Sequence, residues 1–212
     1  MITEMKKRKY TLRRRAQQQE ATRARIVEAT VALHESVGPK DTTISAIAEK
    51  AGVQRLTVYR HFPDEVALFE ACTSHWLAEH PPPTPGEWEG EEGPARRTHL
   101  AISRLYEYFR RTERMWTSAY RDLDDVPAMQ PPMRGFEDYL EGIRDDLLAA
   151  WSPPREQRRL LRAVLGHAVR FSTWQTLSAE GLGDAEMADV VTSWVGPAVT
   201  VAGAPPSSLP PP

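Results

Sequence analysis

Apolar residues recur along this chain at intervals of three and four positions, which is the spacing of one face of an α-helix. No segment alternates apolar and polar residues as a half-buried strand does, so the pattern predicts an all-α fold. The first helix is expected over about 17–36 and is ended by Gly38-Pro39. Two short helices follow, one between Thr43 and Gly52 and one over 54–61, and Asp64 begins a fourth helix.

Beyond a Pro-rich and acidic stretch at 80–93, which predicts a surface linker or long loop, the helical pattern resumes. Further helices are predicted near 95–114, 116–122, 132–150, 155–180 and 184–201. We therefore divide the chain into a basic flexible arm (1–16), a head (17–80), a second helical domain (81–202) and a disordered Pro/Ser-rich tail (203–212).

Charge is distributed unevenly between the two parts of the chain. Residues 1–62 contain 13 Lys/Arg against 6 Asp/Glu, whereas residues 63–212 contain 14 against 23. Phosphate groups attract local positive charge, so the basic head is the part expected to meet a polyanion. Nucleic acid is the first candidate and an anionic membrane surface is the second.

Composition excludes several classes of protein. Cys72 is the single cysteine and cannot form an internal disulfide, and no apolar run reaches membrane-spanning or signal-peptide length, so we expect a cytoplasmic protein. The six histidines show no metal-ligand spacing, and no nucleophile motif or phosphate-binding glycine loop is present. We therefore expect neither an enzyme nor a bound metal or cofactor.

The segment from Thr43 to Phe62 has the spacing of a helix-turn-helix. Ala48 is small where two helices would cross, Gly52 can adopt the left-handed conformation of the turn, and Val58 and Phe62 point back to a core with Val53. The other face of the second helix is polar and carries Gln54, Arg55, Thr57, Tyr59, Arg60 and His61. These side chains supply amide, guanidinium, hydroxyl and imidazole groups for base edges and phosphates in a major groove.

The run from Thr43 to Phe69 closely resembles the signature of the TetR family of transcriptional regulators, including its Ala-Gly-Val turn and its Tyr-Arg-His-Phe end. The resemblance covers roughly residues 20–72. It implies that the residues approaching bases are Gln54, Arg55, Leu56 and Thr57. The residues that bind phosphates would be Thr43, Tyr59 and His61, and Arg60 could contact either a base or a phosphate. Two departures are Leu56, where a small residue is common, and Glu65, where the family often has a phosphate-binding lysine. Leu56 can instead contact a thymine methyl group.

Seven lysines and arginines lie in the arm, among them Arg13, Arg14 and Arg15. A basic segment just upstream of the head can enter the minor groove or lie along phosphates. The alternative is a solvated tail without DNA contact.

The second domain is rich in aromatic residues and methionine, most of which are needed to fill a helical core. Such cores also hold ligand cavities. The predicted ligand-binding residues, chosen because they fall on segments that line the pocket in the resembled family, are Trp116, Tyr120, Phe136, Phe171 and Trp174, with His167 as a polar anchor. Arg121 and Arg170 are further candidates for such an anchor.

The helices predicted at 155–180 and 184–201 carry wide apolar stripes. The resemblance implies that they pair with their twins as a homodimer interface over 155–201, and the alternative is that they pack on the core of their own subunit. The leading hypothesis is a ligand-responsive regulator whose head (17–80) is a DNA-binding domain and whose second helical domain (81–202) binds an effector and dimerises. The protein is expected to be a repressor that binds a near-palindromic double-stranded operator and is released from it by a small apolar effector. The alternatives are a DNA-binding regulator whose second domain binds a protein partner or no ligand, and a membrane-surface protein that uses the basic arm.

Overall fold

The computed structural model describes residues 2–200 and the side chains from residue 13 to residue 198, and its regular elements within that range are helical. The α-helices are α1 (Ile2–Ser36), α2 (Ile44–Ala51), α3 (Arg55–His61), α4 (Glu65–Glu79), α5 (Pro94–Asp122), α6 (Gln130–Trp151), α7 (Arg155–Ala168), α8 (Phe171–Ala179) and α9 (Asp184–Thr200). Single 3-10 turns occur at Pro85–Glu87 and Pro127–Met129. The predicted all-α fold is confirmed, and the predicted tail at 203–212 lies outside the described residues.

The chain divides into two compact units, each of which is made of two separate stretches of the chain. Among the described residues, unit 1 contains those up to Pro81 together with Arg114–Pro132. Unit 2 contains Pro82–Glu113 together with the described residues from Met133 onward. The first change of unit falls after Pro81, and residues 114–132 return to unit 1. In the described residues, no helix combines the length and apolar character that crossing a membrane requires.

Helix α1 begins at Ile2, whereas the sequence pattern predicted its start near residue 17. Residues 2–20 are mostly Lys, Arg, Gln, Glu, Met and Leu, which are good helix formers, and they include no Gly or Pro. The helix therefore continues upstream of its apolar stripe, and the backbone shows no break between the predicted arm and the first predicted helix.

The core of unit 1 is built around the amphipathic end of α1 and the short helices that follow it. Ile26, Ile47, Val58 and Phe62 are buried together, and Leu68 and Cys72 of α4 complete the cluster. Asp64 caps α4 by accepting a hydrogen bond from the amide of Ala67 (2.8 Å). Cys72 is thus a buried core residue, and burial raises the pKa of its thiol to about 12.

Residues 114–132 pack within unit 1 through aromatic side chains. The ring of Trp116 meets that of Trp76 edge to face, with centroids 5.6 Å apart, and Tyr120 contacts Trp116 at 6.2 Å. The indole N–H of Trp76 also donates to Glu35 of α1 (3.1 Å). Trp116 and Tyr120, two of the predicted effector contacts, therefore belong to the unit that holds the helix-turn-helix.

The end of α5 holds the turn between α1 and α2 through a set of contacts that we call the Asp122 clamp, formed by Asp122, Arg121, Gly38 and Lys40. The buried carboxylate of Asp122 accepts the backbone N–H of Lys40 (3.1 Å) and two guanidinium hydrogen bonds from Arg121 (2.7 and 3.0 Å). These bonds, that of Arg121 first, hold the pKa of Asp122 below its usual value. Gly38 adopts a left-handed φ of +95°, and a Cβ there would overlap the Arg121 guanidinium and lie 2.6 Å from Asp122 Oδ2.

Unit 2 is centred on the first part of α5, where Leu105, Tyr106, Tyr108 and Phe109 are fully buried. The segment predicted as a surface linker contributes to this core through Trp88. Its ring is buried, and its indole N–H donates to Asp146 of α6 (2.9 Å), which also pairs with Arg97. The predicted long loop at 80–93 is therefore present and mostly exposed, but the burial of Trp88 was not predicted. A tryptophan within the acidic stretch was the available signal.

The helix predicted over 155–180 is interrupted at Val169-Arg170 and forms α7 and α8. Neither Gly nor Pro marks this break. Instead, the hydroxyl of Tyr106 donates to the carbonyl oxygen of Ala168 (2.9 Å), and that of Thr173 donates to the carbonyl oxygen of His167 (2.6 Å). These side chains satisfy carbonyl groups that a continuous helix would have bonded itself, and local sequence patterns do not reveal such tertiary partners.

Helices α7 and α9 bury most of their apolar residues inside unit 2. The buried side chains are Leu161, Leu165, Ala168, Met187, Ala188, Val191, Val195 and Ala198. Leu160 and Trp194 remain 46% and 36% exposed, and Val164 and Val190 are half-buried. Much of the wide apolar stripe therefore serves its own subunit, as the alternative interpretation held, and only a narrower strip is exposed.

Candidate functional site

The helix-turn-helix of unit 1 is held by local hydrogen bonds that its sequence specifies. Thr43 caps α2, since its hydroxyl oxygen accepts the amide of Ala46 (3.1 Å). Gly52 ends α2 in the left-handed conformation (φ 64°, ψ 41°), and the amide of Val53 donates to the carbonyl oxygen of Ala48 (2.9 Å). The turn therefore has the geometry that the Ala-Gly-Val sequence predicted.

Helix α3 buries one face and exposes the other. Val58 and the following Phe62 are buried in the core of unit 1. The guanidinium of Arg23 on α1 lies over the Phe62 ring, 5.0 Å from its centroid, and fixes the end of α3 from outside. The predicted inward side of the second helix is thus confirmed.

The exposed face of α3 carries the residues expected to contact DNA. Gln54, Arg55 and Arg60 are exposed, Thr57 and His61 are half-buried, and Leu56 and Tyr59 are 67% and 48% exposed. Thr43 is exposed at the start of α2. Because its hydroxyl oxygen accepts the capping bond, its proton is available for an outside acceptor such as a phosphate. Arg13, Arg14 and Arg15 are exposed along α1.

A second candidate site is an aromatic cluster in unit 2, which brings together three of the predicted ligand-binding residues. Phe109 of α5 contacts Phe136 (6.4 Å), Phe171 (5.3 Å) and Trp174 (6.1 Å), and Phe171 stacks on Trp174 (5.3 Å). In the sequence, Phe109 is one of many aromatic residues of the second domain, and no local pattern distinguishes it. Its central place results from packing between helices, which the sequence does not display.

The buried indole of Trp174 has an unusual feature. Its N–H has no hydrogen-bond acceptor among the residues that the structure describes, although the residue is fully buried. Buried polar groups are nearly always paired, so an unpaired donor in this cluster calls for an explanation. An oxygen atom of a bound molecule would supply the missing acceptor.

The predicted polar anchors have partners outside the aromatic cluster around Phe109. His167 is exposed and stacks on Trp194 (6.1 Å), beside Arg159 and Arg162 in a surface groove. Arg170 pairs with Glu137, and Arg121 belongs to the Asp122 clamp. No group of three or more His, Cys, Asp or Glu residues suited to a metal ion occurs in the part of the chain that the structure describes.

Comparisons with known proteins agree with these observations. Residues 26–72 match the family model of "Bacterial regulatory proteins, tetR family". No curated protein matches the chain by sequence.

Among solved structures, a TetR-like transcriptional regulator from Rhodococcus sp. RHA1 is 18% identical, with a TM-score of 0.61 over 86% of this chain and 97% of its own. A proposed fatty acid metabolism regulator of Clostridium perfringens is 17% identical, with a TM-score of 0.56 over 85% and 100%. The regulator RolR in complex with resorcinol is 19% identical, with a TM-score of 0.51 over 91% and 98%.

The match to the family model covers the helix-turn-helix, from α1 to Cys72 in α4. The similarity to the solved structures extends over most of the chain. The resemblance inferred from the sequence is therefore confirmed. Residues 26–72 match the tetR family of bacterial regulatory proteins, and the chain has the fold of TetR-like transcriptional regulators.

Proposed function

We propose that the chain is a transcriptional repressor that binds a near-palindromic operator as a homodimer and is released from it by a small, largely apolar effector. The observation that carries this proposal is the exposed polar face of α3, presented by a TetR-family helix-turn-helix. A recognition helix of this kind reads base edges in the major groove, and a homodimer reads two half-sites related by symmetry.

The exposed side chains divide into two roles. Gln54 and Arg55, at the start of α3, carry amide and guanidinium groups suited to bidentate bonds with adenine and guanine. Thr43, Tyr59 and His61 carry hydroxyl and imidazole groups suited to phosphates. Leu56, which is largely exposed, supplies an apolar contact for a thymine methyl group.

Selection of binding sites from random double-stranded DNA tests both roles. Gln54→Ala and Arg55→Ala should each cost about 1–3 kcal/mol and relax the preference at one base pair of each half-site. Tyr59→Phe should instead weaken binding to all sequences and leave the consensus unchanged. A consensus that stays the same in both the Gln54 and Arg55 variants would exclude these residues as base readers.

The effector is assigned to the aromatic cluster around Phe109. Its rings favour a flat apolar molecule, and the unpaired indole N–H of Trp174 favours one that carries an oxygen acceptor. RolR has been solved with resorcinol, a flat ring with two hydroxyl groups. We therefore propose a small hydroxylated aromatic compound or a similar molecule as effector.

Titration with resorcinol, followed by operator binding in fluorescence anisotropy, tests the assignment. An effector should lower operator affinity by a factor equal to that by which the operator lowers effector affinity, since coupling between two binding sites is reciprocal. Trp174→Phe keeps an aromatic ring but removes the N–H, and it should weaken effector binding about fivefold to tenfold. Equal binding by the wild type and this variant would remove Trp174 from the site, and release in a reporter strain would establish repression.

A further inference from the structure

Unit 1 contains a cleft of about 430 Å³ beside the helix-turn-helix, which we call the head cleft. It lies between the end of α1, the start of α2, α3 and the start of α4, and Val126 and Pro127 close another side. Its volume is within the range of small-molecule sites, about 300–1,000 Å³. The DNA contacts proposed above do not account for a concavity of this volume.

His34 lines the cleft and supplies its buried polar group. The residue is 6% exposed, its ring stacks on Phe69 at 4.9 Å, and no other described residue forms a hydrogen bond with its ring nitrogens. Burial, partly opposed by Asp122, lowers the pKa of His34 to about 4. The imidazole is therefore neutral at pH 7 and offers one N–H donor and one nitrogen acceptor to a molecule in the cleft.

The remaining lining determines which class of molecule fits. Ile44, Ile47, Leu68 and Phe69 make much of it apolar. The charges of the lining balance, since Lys40 is bonded to Asp125 (2.8 Å), and Arg55 and Glu65 carry opposite charges. A charged ligand would gain little from such a balanced lining, whereas an uncharged ring with one hydrogen-bonding group matches both the apolar walls and His34.

The cleft shares its margin with the proposed DNA interface. Thr43, Arg55 and Tyr59 all line it, and each belongs to the surface expected to contact phosphates or bases. A molecule held in the cleft would occupy space next to these side chains and restrict their positions. The consequence is competition with DNA at the head itself.

The cleft wall is also held in place before any ligand binds. Lys40 belongs to the lining, and its backbone N–H is bonded to the carboxylate of the Asp122 clamp. The hydroxyl of Thr42 donates to the carbonyl oxygen of Gly38 (2.8 Å), which further fixes the loop. A fixed wall lowers the entropic cost of ordering a binding site.

We propose that the head cleft is a second small-molecule site, which takes a small uncharged aromatic molecule bearing a hydroxyl or amide group and hydrogen-bonded to His34, and which antagonises DNA binding directly. The antagonism rests on the proposed function, whereas binding to the cleft does not. The site is separate from the aromatic cluster around Phe109, so the two can be tested independently.

Phenol and toluene are suitable probes, because toluene has a methyl group where phenol has its hydroxyl group. In 15N-edited NMR spectra of the DNA-free protein, phenol should shift the amide signals of His34, Ile44, Ile47 and Phe69, with weaker shifts for toluene. His34→Phe keeps the stacked ring and should lower phenol affinity about fivefold to tenfold, as expected for one lost hydrogen bond. His75→Phe on α4 is the matched control and should bind phenol as the wild type does.

The same titrations are repeated in the Trp174→Phe background, which weakens binding at the aromatic cluster and leaves the head cleft unchanged. Phenol should shift the cleft signals there at the same concentrations as in the wild type, and operator affinity should fall at least tenfold over that same range. Cleft signals that do not move in the wild type would overturn the proposal even if His34→Phe failed to fold. Cleft binding by a chain that binds no DNA would leave the site intact and refute the proposed function, whereas unchanged operator affinity at saturating phenol would refute the antagonism.

Discussion

His34 links the stability of unit 1 to pH. Its pKa is about 4 in the folded protein against 6.5 for an ordinary histidine, so between these values the unfolded chain binds a proton that the folded chain does not. Stability from this residue is complete above pH 6.5 and is lost as the pH falls towards 4. The shift corresponds to a loss of about 3 kcal/mol.

Urea unfolding at several pH values measures this effect. The midpoint of the wild type should fall steadily from pH 7 to pH 4.5, whereas that of His34→Phe should fall much less. His75→Gln, which removes a half-exposed histidine of α4, should retain the wild-type slope. Parallel slopes for the wild type and His34→Phe would show that another group titrates.

Gly38 and Gly52 are both left-handed but differ in their surroundings. A Cβ at Gly38 would overlap the Asp122 clamp, whereas a Cβ at Gly52 would meet no atom within 4 Å. Gly52→Ala should therefore cost only backbone strain, about 1 kcal/mol, while Gly38→Ala should cost at least about 2 kcal/mol more. Thermal or urea unfolding of the two variants measures the difference. Equal losses of stability would mean that Arg121 and Asp122 can move away from the added methyl group at little cost.

Helix α1 is longer than the sequence pattern predicted. The basic residues of its first part predict how operator binding depends on salt concentration. Seven Lys and Arg residues lie within residues 1–16, on a helix of 35 residues. Each phosphate that they neutralise adds about 0.9 to the slope of log affinity against log salt concentration. Deleting residues 1–16 should therefore flatten the salt dependence of operator binding more than it changes the consensus.

Replacing Arg13, Arg14 and Arg15 with Gln provides a control that keeps good helix formers at these positions. It should reduce the slope by a part of the full effect, because it removes three of the seven charges. If the full chain, the deletion and the triple variant gave one slope, the basic segment would have no part in DNA binding.

Among the helices and turns, the features that the sequence predicted are those that depend on residues close together in the chain. The turn at Gly52 and the inward faces of Val58 and Phe62 depend on neighbours within a few residues, and all were predicted. The break after Ala168 depends on Tyr106, more than sixty positions away, and was missed. The same holds for the central place of Phe109, because which rings meet is set by helix packing.

For the whole molecule, the proposed dimer makes a specific prediction about the exposed strip on α7 and α9. Trp194→Arg and Leu160→Glu place charges on its two exposed apolar residues and should give a monomer in analytical ultracentrifugation. Leu161→Glu should instead unfold the protein, because Leu161 is fully buried within its own subunit.

Leu56→Glu introduces the same charge at an exposed leucine of α3 and should leave the dimer intact. Sedimentation of the wild type as a monomer at micromolar concentration would contradict the proposed interface. So would a dimer that persists in both Trp194→Arg and Leu160→Glu.

The division of α5 between two units has a consequence for building chimeric regulators. Residues 114–122 of this helix, with the turns up to Pro132, belong to the same unit as the helix-turn-helix. A head transplanted by a single junction near residue 81 would leave behind Asp122 and Trp116, and with them the bonds to Lys40 and the contact with Trp76. A graft that exchanges DNA specificity between such proteins therefore needs two discontinuous pieces, or a donor and recipient already matched at the α1–α2 turn.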